Sequence, residues 1–512
     1  MSRSTVLAIF FVIGMVLLTV GVSFNYFFDC FVEKKLQKNL NLLNGTEAYA
    51  NWLQPPVPVY MSFYFFNVTN YEEFSRGAKP VVQQVGPYAY REIRNKVNIV
   101  YSSNNESLSY KEQKFYTFLP TNILNESDVI YTLNIPVLVI SKLLEKMFPE
   151  IILKLIGFIL NGEKLIEKRT VFELLWGFNM SLADDINRKL AELHLPPIRF
   201  PTFGIYVNNN SNGSMHNEYN ISTGAYDISQ VGRINSWRGN SHLSSWSGDA
   251  CNMINGTDGS FWHPLISESD TLYLFSPDLC RSMYMLYNST TTIYQLNSMK
   301  YTVPETVLRD PRYEEANRCF CLPEYPHCLK AGVLDVSLCN DGAPVIVSLP
   351  HFLYGDAEYT DAVVGMKPNL ALHQSYVHVE PMSGFVLEAH KRLQINFMLQ
   401  KYTTFKSSWV IKEPIIFPLM WAEESASINE RSALRLYSLL NGPRLIGRGL
   451  IFMCIVVGGL FVLVTIVVAA VIMSRKFYKC IPESYDDMVG VWMYVRLCSS
   501  VFFTSAKNLS NK

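Results

Sequence analysis

The chain has 512 residues, 49% of them hydrophobic, and its 44 Lys and Arg balance 44 Asp and Glu to a formal charge of zero. That balance excludes a basic field for nucleic acid and an acidic tail. Only 17% of residues are charged, against about 25% in an ordinary soluble domain, and the deficit is concentrated at the two ends.

Ser4 to Phe28 contains no charged residue, which exceeds the roughly 20 apolar residues needed to cross a bilayer as a helix. A cleaved signal peptide competes, with Arg3 as its basic region and Gly21-Val22-Ser23 as a small-x-small site. The apolar run outlasts the 7–15 residues typical of a signal core, so the reading is an uncleaved signal-anchor. Residues 1–5 then form a cytosolic N-terminus and 6–28 the first span. Leu450 to Met473 is equally apolar and is followed by Arg475, Lys476 and Lys479. The second span is therefore 449–473, the tail is 474–512, and both ends lie in the cytosol by the positive-inside rule. Glu33, Lys34 and Lys35 weaken that rule after the first span.

The intervening residues, 29–448, form one large lumenal or extracellular domain. Runs rich in β-branched and aromatic residues predict antiparallel strands at Val57–Val68, Arg199–Val207, Pro344–Leu349 and Leu393–Leu399, hence a barrel or curled sheet. Between Ile135 and Lys168 apolar residues recur at three- and four-residue spacing, which predicts helices. Pro149 and Gly157 are expected to cut them. The piece from Met147 to Leu160 is too short to span and apolar over most of its circumference.

Sequons at Asn44, Asn67, Asn105, Asn125, Asn179, Asn209, Asn212, Asn220, Asn255 and Asn288 support a glycosylated location outside the cytosol. Cys251, Cys280, Cys319, Cys321, Cys328 and Cys339 crowd into one stretch. In an oxidising compartment they suggest three bridges, and spacing does not choose among the connectivities. A metal site at Cys319-x-Cys321 is the rival, but the pair lacks ordinary zinc spacing.

Val85-Gly-Pro-Tyr-Ala-Tyr-Arg-Glu92, Glu173-Leu-Leu-Trp-Gly177, Cys251 to Gly259, Phe275-Ser-Pro-Asp-Leu-Cys-Arg-Ser-Met283, Ser348-Leu-Pro-His-Phe-Leu353 and Lys391-Arg-Leu-Gln-Ile-Asn396 resemble, in order, the signature segments of the class B scavenger receptor family. The resemblance implies an α+β membrane protein. Two transmembrane helices would flank a large antiparallel β-barrel-like ectodomain with a membrane-distal helical bundle and an internal hydrophobic tunnel. It further implies the pairs Cys251–Cys319, Cys280–Cys339 and Cys321–Cys328. The bundle, or crown, falls on about 135–168, and its cations Lys142, Lys146, Lys154, Lys164, Lys168 and Arg169 correspond to those that meet anionic ligands in relatives. Glu145, Glu150, Glu163 and Glu167 leave an ordinary solvated face as an equal reading.

Gly86, Pro87, Tyr88, Tyr90 and Arg91 read as a turn entering a strand, with aromatic packing and a structural ion pair. His351 reads as a core histidine, and His373 and His378, five apart, as opposite faces of a strand. No H-E-x-x-H, G-x-S-x-G or Walker sequence occurs, so no enzyme activity, cofactor or metal is expected. The resemblance implies a receptor that binds lipids and lipoproteins at its apex and passes fatty acid or cholesterol to the membrane. The alternatives are an endosomal or lysosomal sorting receptor that grips a hydrolase, and an adhesion or phagocytic receptor. The crown holds no histidine for low-pH release. The expected location is the plasma membrane, with endosome or lysosome membrane as the alternative. In the tail, Tyr485-Asp-Asp-Met488 and Tyr494-Val-Arg-Leu497 have the form of clathrin-adaptor signals, though such short patterns arise by chance. Cys480 and Cys498 are candidate palmitoylation sites beside an apolar segment, 489–503.

Overall fold

The computed structural model describes residues 3–55, 57–197, 203–207, 213, 215, 217–322, 328–339 and 342–478. The chain divides into two compact units, one from its two ends (up to Lys35 and from Asn441) and one from Leu36 to Leu440.

The terminal unit is built on two long helices, α1 (Arg3–Asn39) and the last, Glu430–Tyr478. Both exceed the spans expected at 6–28 and 449–473, because the polar residues flanking each apolar stretch continue the helix. Their apolar side chains point mostly outward, as a lipid solvent requires. Within this unit the helices pack together. Phe10 meets Phe461 edge to face at 5.4 Å, and Arg448 donates to both carboxylate oxygens of Asp29 at 3.0 Å.

In the large unit the chain opens with α2 (Glu47–Leu53), N-capped by Thr46. It then lays down β1 (Val59–Val68), β2 (Val82–Tyr101) and β3 (Ser107–Phe118). Residues 129–192 interrupt the sheet. There β4 (Val129–Leu133) pairs with β5 (Ile166–Thr170), enclosing α3 (Ile135–Met147) and α4 (Glu150–Leu160), and α5 (Val171–Trp176) and α6 (Ser181–Glu192) follow. The sheet resumes with β6 (Asn217–Ser222), β7 (Ile234–Trp237), β8 (Leu272–Ser276), β9 (Arg281–Ile293) and β10 (Leu296–Thr302). It ends with β11 (Val333–Asp335), β12 (Val345–Ser348), β13 (Tyr376–Val379), β14 (Val386–Leu399) and β15 (Ile415–Ser427).

The main sheet runs β7-β6-β3-β2-β1-β15-β14-β13-β10-β9-β8, with β12 also on β14 and β11 on β12. All its strand pairs are antiparallel, and the sheet curls into a nearly closed barrel. The first and last long strands, β1 and β15, lie side by side from Val59↔Ala426 to Phe65↔Met420, which places residues distant in sequence on one wall.

Four expectations are corrected here. The helices expected between Ile135 and Lys168 are α3 and α4, but residues 166–170 are strand, and two further helices follow to Glu192. Pro149 separates α3 from α4, but Gly157 stays inside α4. A Cβ at Gly157 would lie 3.4 Å from the Thr404 carbonyl oxygen, so α4 packs close to the Tyr402–Phe405 loop there. Arg199–Val207 is no strand where described; Phe203 makes a single bridge to Phe178. Gly86 to Arg91 lie within β2 at a register shift opposite Phe63 and Phe65. Gly86 has φ 137°, and a Cβ would reach 2.6 Å from the Phe63 carbonyl oxygen. Tyr88 and Tyr90 pack as expected, but Arg91 is exposed and makes no ion pair among the described residues.

Candidate functional site

Two very different interiors share the barrel unit. Around β1, β2 and helices α3–α6 the space is filled by Phe63, Tyr90, Tyr116, Trp176 and Tyr206, with ring centroids 5.3–5.8 Å apart. Tyr90 donates to Glu126 Oε1 at 2.6 Å and accepts from Trp176 Nε1 at 3.4 Å. Elsewhere the interior holds a cavity of about 320 Å³, lined in part by apolar groups such as Trp262, Leu274, Met285, Val377, Leu387 and Ala389. That volume falls in the range of small-molecule sites, about 300–1,000 Å³. It also touches Ser432, Arg435, Leu436 and Leu439 at the start of α7 (the Glu430–Tyr478 helix).

Charged groups, Arg94, Glu112, Lys391 and Glu424 among them, also line the cavity and belong to an ionic lattice. Arg94 Nε and Nη2 each lie 2.6 Å from a carboxylate oxygen, of Glu92 and Glu424 respectively. Lys114 approaches Glu112 at 3.5 Å and Glu92 at 3.6 Å, and Lys391 meets Asp278 at 3.0 Å. The mutual fields dominate the ionisation here. Burial opposes the charge of Glu424 and Asp278, yet Arg94 and Lys391 hold Glu424 below the usual carboxylate range, and Lys391 holds Asp278 down as well. Beside this lattice Arg392 and His390 both contact Glu423, at 2.7 and 2.8 Å. These contacts cross-link the groups into a polar lattice.

None of the cavity's described lining residues falls between 113 and 257, so its lining does not include α3–α6.

The structure scatters the expected apex cations. Lys146 is exposed in the last turn of α3, Lys164 is exposed in the loop before β5, and Lys168 is exposed on β5. Lys154 pairs with Glu150 at 2.9 Å, and Lys142 is half-buried with a partner of its own. Arg169 is committed locally. It contacts Glu167 and Glu173 at 2.6 and 3.6 Å and lies over the Phe178 ring at 3.8 Å. Beside them Ile151 and Phe158 on α4 are 71% and 73% exposed, a sticky apolar pair among cations.

Cys251–Cys319, Cys280–Cys339 and Cys321–Cys328 are bonded. Of the sequon asparagines, Asn44, Asn105, Asn125, Asn179 and Asn288 are exposed and Asn67, Asn220 and Asn255 half-buried. Asn209, Asn212, Cys480, Cys498, Tyr485, Met488, Tyr494 and Leu497 lie outside the described residues. Sequence reasoning missed the lattice; an internal apolar space was expected only through the family resemblance, with none of its lining residues named. His351 is buried as expected, whereas His373 sits on the helix Leu370–His373 and only His378 on a strand. The described residues hold no cluster of three or more His, Cys, Asp or Glu placed to bind a metal.

The model of the CD36 family matches residues 12–469. The chain belongs to the CD36 family. Lysosome membrane protein 2 of Homo sapiens is 39% identical over 414 residues, covering 80% of this chain and 83% of that protein. The protein of the same name from Rattus norvegicus is 38% identical over the same span. Scavenger receptor class B member 1 of Cricetulus griseus is 30% identical over 459 residues, 89% of this chain and 88% of that protein. Membership accounts for two apolar terminal helices around a barrel-like antiparallel ectodomain, and it makes this an integral membrane protein of the class B scavenger receptor family.

Proposed function

We propose that the chain is a lipid receptor and conduit: it captures a lipid or lipoprotein at the face formed by α3, α4 and β5, and harbours lipid in the barrel cavity on its way to the membrane. The observation that carries this reading is the apolar part of the lining of a 320 Å³ cavity. A hydrocarbon chain gains about 0.8 kcal/mol per methylene on leaving water, so a dry wall of that size is a strong sink for one. The exposed Ile151 and Phe158 beside Lys146 and Lys154 supply apolar contact and cationic steering for capture. The sequon asparagines carry glycans in this reading, and no chemistry is catalysed.

The test uses the full chain in lipid nanodiscs and in transfected cells. Lipid extracted from the purified protein is identified by mass spectrometry. Met285→Trp with Ala389→Phe then fills the cavity. Lost uptake with intact particle binding supports the conduit; unchanged uptake ends it.

A second reading concerns location. The lysosome membrane protein 2 relatives, at 38–39% identity against 30–31% for scavenger receptor class B member 1, favour residence in endosomal or lysosomal membranes, where the same cavity would serve lipid leaving the lumen. Immunolocalisation against markers of both membranes decides it.

A further inference from the structure

Five cations line the cavity among the described residues, and four of them have a carboxylate at contact distance. Arg94 has Glu92 and Glu424, Lys391 has Asp278, Arg392 has Glu423, and Arg435 has Glu47 at 3.3 Å. The fifth, Lys96, does not. It sits on β2, only 8% exposed. Its Nζ donates to the Trp52 carbonyl oxygen at 2.7 Å and lies 4.8 Å from the Trp52 ring centroid and 5.9 Å from that of Tyr110. An ammonium has three donors, and the structure uses one.

The neighbouring carboxylates are occupied. Glu112, across the strand pair, is engaged by Lys114, and Asp258 accepts from the Ser260 backbone N–H and hydroxyl and from Tyr110 Oη. Both act on Lys96 only through space, and burial outweighs them, so its affinity for a proton is lowered. The indole N–H of Trp52, which also lines the cavity, has no acceptor. A buried ammonium without a contact anion is costly, and an incoming anion removes that cost.

We propose that Lys96 anchors the head of an anionic amphiphile, a fatty-acid carboxylate or a lipid phosphate, whose hydrocarbon chain lies along the apolar wall at Phe261, Trp262, Leu274 and Met285. The inference rests on the lipid-cavity reading and adds to it a polarity: the cavity prefers a charged head to an esterified one. Charge-assisted hydrogen bonds in such a setting are about twice as strong as neutral ones, and the preference of acid over ester is at least about tenfold.

The experiment labels the full chain in nanodiscs with a diazirine-bearing sixteen-carbon fatty acid and maps the labelled peptides. Competitors are palmitate, methyl palmitate and palmitoyl lysophosphatidic acid. In the wild type, palmitate displaces label from the wall at least about tenfold better than its methyl ester. Lys96→Met erases that difference and Lys96→Arg restores it. Displacement by lysophosphatidic acid extends the site to phosphate heads; its failure restricts the site to carboxylates. Equal displacement by acid and ester in the wild type, or a difference that survives Lys96→Met, overturns the proposal. A merely structural Lys96, tying α2 to β2, would lower acid and ester binding together, and that result also overturns it. Label that persists after Met285→Trp with Ala389→Phe, or that never maps to the wall, counts instead against the cavity reading.

Discussion

His351 and His373 lie ring on ring, their centroids 4.5 Å apart and their planes 17° from parallel. Both are buried, and both accept a backbone N–H at Nδ1, from Lys367 at 3.1 Å and from Asn369 at 3.0 Å. His351 Nε2, which must then carry the proton, reaches Gln84 Oε1 at 2.7 Å, an oxygen that also accepts from Trp421 Nε1 at 2.8 Å. Protonating either ring would forfeit the Nδ1 bond and set a cation against its neighbour.

The pair therefore makes stability pH-dependent in one direction. Burial pushes both histidines down to about 4 from 6.5. His373 and Lys367 add to the effect on His351, and Arg392 adds to that on His373. As pH falls, the unfolded chain takes up protons near 6.5 while the folded one does not. The stabilisation is complete above 6.5 and is lost as pH drops from there toward about 4. Thermal unfolding between pH 7.5 and 4 should show a falling midpoint. His373→Phe should lower the midpoint at pH 7.5 and flatten its decline. A wild-type midpoint that holds steady to pH 4.5 would contradict this account.

The ionic lattice should behave as a unit. Glu424→Gln leaves Arg94 and Lys391 short of a counter-charge in a buried setting, at a cost of about 3–5 kcal/mol. Arg94→Met in the Glu424→Gln background should recover much of that loss, since it removes the stranded cation. Denaturant unfolding of the two single variants and the double variant measures the coupling. Additive losses would mean that the 2.6 Å contact between Arg94 and Glu424 contributes nothing of its own.

What the sequence made legible was local. Apolar length marked the spans, and β-branched runs marked β1, β12 and the end of β14, because each signal is carried by neighbouring residues. The cavity was illegible because its wall joins residues from Leu42 to Leu439. The lattice was hidden for another reason. Glu92, Arg94, Glu112, Lys114, Lys391 and Glu424 each read as an ordinary polar position on a strand with one wet face. Only the order of the sheet, with β15 between β1 and β14, brings those positions together. Arg169 was over-read, since the capping box of Thr170 and Glu173 places Glu173 within its reach.

The bridge Cys251–Cys319 closes a loop of 68 residues, which in the chain-entropy model is worth about 4 kcal/mol. Cys251 lies in a buried cluster with Trp246, Leu279 and Leu334, so Cys251→Ala with Cys319→Ala should lower stability by that amount. Denaturant midpoints of the purified protein, and the fraction of it that leaves the endoplasmic reticulum, check this. Unchanged values for both would refute it.

The terminal helices supply the last prediction. A Cβ added at Gly458 would lie 2.8 Å from the Leu18 backbone nitrogen and 2.9 Å from the Gly14 carbonyl oxygen. One added at Gly14 would lie 2.9 Å from the Phe461 Cβ. Small residues that let backbones approach this closely are a main source of helix association in lipid, where apolar side chains gain nothing by leaving the tails. At Gly21 the added atom would sit 3.5 Å from the Cβ of Cys454, within the range of about 3.5–4.5 Å for disulfide-bonded cysteines. Gly21→Cys, in a background where the free Cys30 is Ser, should therefore cross-link to Cys454 under mild oxidation. Cleavage within the large unit then leaves the two ends joined on a gel until reduced. Adding Gly458→Leu forces the backbones apart and should abolish the cross-link, whereas Gly459→Leu, at a position where an added Cβ meets nothing within 4 Å, should leave it intact. Cross-linking that ignores both substitutions would show that the glycines do not set the approach of the helices.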